Sequence, residues 1–564
     1  MNEIRLQWRL RSYDWLGRTQ RFIVRPFVYT LLLALLCTVL FHAPFVAQLQ
    51  QKIPGQYGLQ ATLWLVLLLL NSLVFTLLSL PGLPRLQRVL LTSFFLIAGI
   101  SHYFISHFGT VIDRAMLQNV LETDLAEASA LLNPDLVVTM TAWLLLLSWL
   151  NWKIAFQPQA WRLGLRQWLL SLVLISSSLG VIAATQYAEL ASFFRNYRDV
   201  KYYALPLSPV SAAVAVSKQQ IAAAFPPQFQ QLATDVHVLA RAATPRTLVL
   251  VLGETARADH FQLNGYQRPT NPRLSELPVV SFSQVSACGT ATAHSVPCMF
   301  SAMGRENYDE TIAKNSSNIL DILQSSGVAV HWYDNNSGCK GVCDRVQHQM
   351  LFAKPECEEG CSDAVLLQAL RQELSASSQQ DRIIVLHQLG SHGPEYYRRS
   401  QQAQKAFRPE CTNKELNHCP SEHIVNAYDN SLVATDALLA DAITQLTQLP
   451  NSALLYVSDH GESLGENGVY LHGLPYWMAP KAQTEVPLIW WMSPSFANSQ
   501  ALDLACLQQK KQQPLSHDHL FHSLPALFAR ASSAFKTELN LFASCTGRQD
   551  DVALGADMKW LRHA

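Results

Sequence analysis

Five long apolar runs dominate the chain before about residue 185, at 26–49, 59–80, 86–106, 136–152 and 164–184. A helix of roughly 20 apolar residues crosses the hydrocarbon core of a bilayer, so five membrane spans are expected over residues 1–184. Residues 185–245 break the pattern, with Phe193, Phe194, Tyr197, Tyr202 and Tyr203 interleaved with Arg195, Arg198 and Lys201. This mixture predicts a linker of short helices lying on the bilayer, with a solvated connector that makes no lipid contact as the alternative. From Thr247 the apolar runs shrink to strand length and end in polar residues, at 247–254, 328–335, 382–390, 453–461 and 486–493. Helix-like stretches such as SNILDILQSS and DAVLLQALRQEL separate them. Near-continuous apolar strands alternating with helices predict a mostly parallel α/β sheet for a third region, 246–564.

Charge sets the orientation. Six arginines, Arg5, Arg9, Arg11, Arg18, Arg21 and Arg25, precede the first run. That run lacks a small-residue cleavage site and reads as a retained anchor. Arg85, Arg88, Lys153, Arg162 and Arg166 follow the second and fourth runs, whereas Asp113, Glu122, Asp124 and Glu127 follow the third. The positive-inside rule puts the N-terminus in the cytoplasm. Five crossings then put everything after residue 185 on the far side. Forty-two basic residues balance forty-two acidic ones, which removes the electrostatic case for nucleic-acid binding. Ten of the eleven cysteines lie after residue 287, with only Cys37 inside a span. They suit an oxidising compartment and five disulfides: Cys288 and Cys298, Cys339 and Cys343, Cys357 and Cys361, and Cys411 and Cys419 are near neighbours, leaving Cys506 and Cys545. Spacing alone does not fix that connectivity.

In parallel sheets, ligands bind beyond the carboxyl ends of the strands. That rule converges on Glu254, Asn335, Asn336, His387, His392, Asp459 and His460. Two carboxylates and an imidazole among them suit zinc in a site with a position left open. A nucleophile comes from SACGTATAHSVPCMFS (286–301), where Thr290 and Thr292 occupy a tight turn between two cysteines. Metal coordination would make such a hydroxyl a competent nucleophile.

GETARADHFQLNGYQRPTNP (253–272), CGTATAHSVPCMFS (288–301), WYDNNSGCKGVCD (332–344), HQLGSHGP (387–394) and SDHGESLGENGVYLHG (458–473) resemble the signature segments of the lipopolysaccharide phosphoethanolamine transferases, of the lipid A and mobile colistin resistance type. The resemblance implies a five-helix membrane domain and an alkaline-phosphatase-like periplasmic domain, in a monomeric inner-membrane enzyme. It implies Thr292 as nucleophile, with Glu254, Asp459, His460 and the Thr292 oxygen holding Zn2+. It places Asn336, Lys340, His392 and His472 around the phosphoethanolamine group, His387 nearby, and Glu462 as a supporting residue. Asn119, Thr123 and Glu127, one helical face after the third span, match a family segment that holds lipid headgroup. Phosphatidylethanolamine would be the donor and lipid A the acceptor, through a phosphoethanolamine–threonine intermediate. The product would carry less negative charge and bind polymyxin and colistin less well.

Other readings differ at particular residues. A sulfatase needs Cys or Ser followed by x-Pro-x-Arg, and here Met299 stands where the Arg would be. Lipoteichoic acid synthases lack the cysteine framework. Transfer to core sugars, or of glycerophosphate to periplasmic glucans, would use the same chemistry. A zinc-binding periplasmic sensor would use the same ligands without needing Thr292.

Overall fold

The computed structural model describes residues 22–79, 82–122, 134–223, 227–239, 243–351, 362–376 and 378–547. Packing divides the chain into two units, residues 1–106 with 134–211, and residues 107–133 with 212–564.

The first unit is a helical bundle. Helices α1 (Pro26–Phe41) and α2 (Ala43–Lys52) replace the first apolar run with a 58° bend. Pro44 in the first turn of α2 disfavours continuation of the preceding helix. His42 fixes the bend, its Nδ1 3.1 Å from Thr38 O and its Nε2 accepting from the Leu205 amide at 2.9 Å. Helices α3 (Tyr57–Leu78), α4 (Pro84–Phe108), α6 (Pro134–Lys153) and α7 (Trp161–Thr185) are each long and apolar enough to span, giving five spans with the bent pair. Between α4 and α6 comes α5 (Arg114–Glu122), part of the second unit. Lipid tails are as apolar as leucine, so interhelical hydrogen bonds help to set the packing. Here Asn71 donates to Thr38 Oγ1 (3.0 Å), Gln87 to Thr30 Oγ1 (2.9 Å) and Trp168 to Thr76 O (2.7 Å). The region between the spans and the sheet contains α8 (Tyr187–Asn196) and a 17-residue helix, α9 (Leu207–Ala223).

The second unit is built on an eight-stranded sheet of β1 (Thr247–Gly253), β2 (Val280–Ser286), β3 (Ala329–Asp334), β4 (Gln347–Met350), β5 (Arg382–His387), β6 (Ser452–Ser458), β7 (Glu485–Met492) and β8 (Leu515–Ser516), in the order β8-β2-β7-β6-β1-β5-β3-β4. All pairings are parallel except those of β7, which runs against β6 and β2. Every residue of β1, β5 and β6 is buried, as strands with both faces covered must be. One face packs under α10 (Thr292–Met299), α11 (Ile319–Ser325) and α14 (Asp518–Leu527), the other under α12 (Ala364–Ser375) and α13 (Ser421–Leu446). Disulfides join Cys288–Cys298, Cys339–Cys343, Cys411–Cys419 and Cys506–Cys545. Cys357 and Cys361, like Thr123 and Glu127, lie outside the described residues.

Candidate active site

Register brings the chemistry together. Leu252 pairs with His387 and Gly253 with Ser458, so Glu254, His387, Asp459 and His460 emerge at one edge of the sheet. Strand β2, parallel to these, delivers the CGTAT turn to the same edge. Thr292 is the first residue of α10, after Ala291 in extended conformation.

Glu254, Asp459 and His460 offer ligand atoms within 4.8 Å of one another, and all three residues are buried. His460 Nε2 lies 3.3 Å from Glu254 Oε1 and 3.4 Å from Asp459 Oδ2. The Thr292 hydroxyl donates to Glu254 Oε2 at 2.9 Å and sits 3.3 Å from His460 Nε2. His460 Nδ1 lies 2.9 Å from Gly461 O, a bond only an Nδ1–H can make, which turns the Nε2 lone pair toward the carboxylates. Burial, then the neighbouring His472 imidazole, pulls the His460 pKa down to about 3, keeping the ring neutral. Burial also raises the Asp459 pKa. Glu254 Oε1 and Asp459 Oδ2 are buried with no hydrogen-bond partner. Acceptors facing acceptors in a dry site are costly unless a cation sits among them. The donor set therefore fits a divalent metal.

A second layer holds Glu254 in place. The Asn336 side-chain amide donates to Glu254 Oε2 at 2.6 Å and to Gln388 O at 2.9 Å. Asn336 is set by Asp334, whose Oδ1 accepts from the Asn336 and Gly338 amides and whose Oδ2 accepts from Trp332 Nε1 and His387 Nδ1, at 2.8 to 3.1 Å. Burial alone would raise the Asp334 pKa; the His387 charge and these donors hold it below the usual carboxylate range. Conversely, burial opposes a charge on His387, and Asp334 overcomes it to raise the His387 pKa. His387 thus sits behind the cluster, against Asp334 and 3.3 Å from the Asn336 amide nitrogen. Behind the nucleophile turn, His517 accepts from the Cys288 amide (3.0 Å) and bonds Ser458 O (2.9 Å), while the Ser295 hydroxyl donates to Asp459 O (2.6 Å).

At the rim, the His472 ring lies 4.5 Å from that of His460 and 5.3 Å from that of His392, and His472 Nδ1 is 3.4 Å from Glu462 Oε1. Arg399 Nε donates to His392 O at 2.9 Å. Lys340, at φ 52° in the loop closed by Cys339–Cys343, donates to Ser337 O at 3.0 Å. Asn119 lies on α5, which packs on α10 and is tied to the sheet unit by Gln118, donating to Glu310 Oε2 at 2.5 Å. Sequence reasoning missed Asp334, Gln388, Ser295 and His517. Asp334 alone carried a signal, as the polar last residue of an apolar strand.

A mostly parallel sheet delivering a hydroxyl, two carboxylates and an imidazole to one edge defines an alkaline-phosphatase-type enzyme, with a protein hydroxyl beside a group of side chains that could hold a metal. The sulfatase family matches residues 246–529, and the family described as phosphoethanolamine transferase EptA/EptB matches residues 65–221. The chain is 36% identical over 543 residues to phosphoethanolamine transferase EptA of Escherichia coli K12, covering 93% of this chain and 99% of that one. It is 36% identical to phosphatidylethanolamine transferase Mcr-1 of Escherichia coli, over 83% and 90% of the two chains. The solved integral membrane lipooligosaccharide phosphoethanolamine transferase A of Neisseria meningitidis superposes with a TM-score of 0.87 at 34% identity, over 92% and 98%. The chain belongs to the phosphoethanolamine transferases, inner-membrane enzymes whose catalytic unit faces the periplasm.

Proposed function

We propose that the enzyme moves phosphoethanolamine from phosphatidylethanolamine to a phosphate of lipid A, with Thr292 as the covalent carrier. The observation that carries this reading is the Thr292 hydroxyl, bonded to Glu254 and beside His460 at the start of α10. Zn2+, held by Glu254, Asp459, His460 and the Thr292 oxygen, would lower the hydroxyl's pKa and neutralise charge on the phosphoryl oxygens.

The chain's own groups do the rest. Thr292 Oγ1 attacks the donor phosphorus, its proton passing toward Glu254 Oε2. The bond from phosphorus to Thr292 forms as the bond to the diacylglycerol oxygen breaks, and diacylglycerol leaves with the proton that Glu254 took from Thr292. A lipid A phosphate oxygen then attacks the same phosphorus and frees Thr292. Asn336 keeps Glu254 aimed through both steps. His392, His472 and Glu462 at the rim, with Lys340, take the phosphoryl oxygens and the ethanolamine ammonium. Asn119, Thr123 and Glu127 hold lipid headgroup from the segment after α4. We place the membrane domain at 1–184, the surface linker at 185–245 and the catalytic domain at 246–564. The enzyme works as a monomer.

Each transfer sets an ammonium beside a phosphate and lowers the net negative charge of the surface, so cationic peptides such as polymyxin and colistin bind less. The test is mass spectrometry of lipid A from polymyxin-sensitive cells making the intact protein or Thr292→Ala. A phosphoethanolamine increment with the first and none with the second is expected. An increment on core sugars or glucans instead would overturn the acceptor, and an unchanged increment in the variant would overturn the nucleophile.

A further inference from the structure

Within the membrane unit, the break between α2 and α3 faces the break between α7 and α8 across a cavity of about 1100 Å³. The first break lies at the end of the bent first span and the second just after the fifth. With the catalytic unit in the periplasm, both open at the periplasmic face of the membrane. The cavity is thus at headgroup depth, and it is larger than the roughly 300–1000 Å³ typical of small-molecule sites. A headgroup, its glycerol and the first chain carbons would fit.

Its chemistry is one-sided. Glu189 is the one charged residue in the lining, and it makes no ion pair among the described residues. Lys52, beside the lining residue Ile53, is already engaged with Asp199 at 2.9 Å. The wall therefore presents a carboxylate, with no cation lining it. Such a surface repels a bare phosphate and matches a primary ammonium, which carries three donors and no acceptor. Ser192, Asn196 and Gln56 supply neutral donors for an adjoining phosphate, and buried Phe193 gives an apolar floor.

We propose that this cavity is a docking site for an ethanolamine phospholipid, with the ammonium against Glu189. The inference rests on the reading of phosphatidylethanolamine as donor, and adds a place where the donor binds before it is used.

The test uses the full-length enzyme in nanodiscs of phosphatidylglycerol containing graded phosphatidylethanolamine, with the phosphoethanolamine adduct on Thr292 followed by mass spectrometry. Glu189→Gln removes a charge-assisted contact and is expected to raise the half-saturating phosphatidylethanolamine fraction roughly tenfold while leaving the maximal rate unchanged. Ser192→Trp, which sets a bulky ring one helical turn from Glu189 and crowds the ammonium end of the cavity, should do the same. A phosphatidylethanolamine analogue with a photoreactive headgroup should label 53–62 and 186–197 in the wild type and not in Ser192→Trp. Unchanged half-saturation in both variants, loss of maximal rate alone, or labelling confined to other segments would each overturn the docking site. If half-saturation by lipid A moves instead, the occupant is the acceptor and the proposal fails. Absence of any Thr292 adduct in the wild type would sink the donor reading itself, an outcome separable from the others.

Discussion

Asp334→Asn keeps the shape of the buried side chain while replacing one acceptor oxygen by a donor and removing the charge. The carboxylate accepts four hydrogen bonds, from Trp332, His387, Asn336 and Gly338, and both Asp334 and His387 are 0% exposed. Removing one partner of a buried charge pair costs about 3–5 kcal/mol, because the other charge is left without compensation. At about 2–4 °C per kcal/mol or somewhat less in a unit this large, the melting temperature of the catalytic unit should fall by roughly 5–10 °C. Linkage fixes the pH signature. The folded pKa of Asp334 is depressed, so its contribution is present above the unfolded carboxylate value near ~4 and is lost as pH falls through the folded pKa. The folded pKa of His387 is raised, so its contribution is present below its unfolded value near ~6.5 and is lost as pH rises through the folded pKa. The gap between wild type and variant should thus be widest between about pH 4 and 6.5. The assay is differential scanning calorimetry of the full-length protein across this range, closed as a double-mutant cycle with His387→Gln. A melting temperature lowered by less than about 2 °C, or additive single changes, would refute a charged pair.

Three further outcomes follow from the site and the cross-links. Chelation should abolish transfer, readdition of Zn2+ should restore it, and Glu254→Gln should lose bound metal in elemental analysis, since each acceptor in the cluster lacks another cation. Replacing Cys506 and Cys545 by Ser, 39 positions apart in the chain, should cost about 4 kcal/mol in the chain-entropy account, seen in chemical denaturation, with turnover at low temperature little changed. Replacing Cys288 and Cys298, separated by 10 residues, should cost about 3 kcal/mol and lower turnover as well, because that loop carries Thr292; equal turnover in the two double variants would refute the distinction.

Glu254, Asp459 and His460 were legible because the end of a parallel strand is readable from hydrophobicity alone, and the register of a parallel sheet then makes neighbours of residues two hundred positions apart. The nucleophile turn was legible through its small residues and flanking cysteines. Three of the eight strands were not. VSFSQVS in β2 alternates with polar residues, QHQM in β4 is a polar edge, and β8 is two residues long. The 486–493 run was legible as a strand while its reversed direction was not, since periodicity carries no sense of direction. His42 lies inside an apolar run, so only the structure reveals the bend there. His517 bonds two backbone groups, of Cys288 and Ser458, that are far apart in the sequence, and no local pattern announces such a role.

The allegiance of α5 has a practical consequence. The chain enters the second unit at residue 107, leaves it at 133 and returns at 212. A fragment beginning at 212 would retain every strand of the sheet and the proposed metal ligands Glu254, Asp459 and His460, yet lack the helix whose Gln118 meets Glu310. Metal affinity measured on that fragment would carry over to the whole enzyme. Inhibitor potency would not, because a compound wedged where α5 belongs would look effective on the fragment and find its place taken in the intact protein.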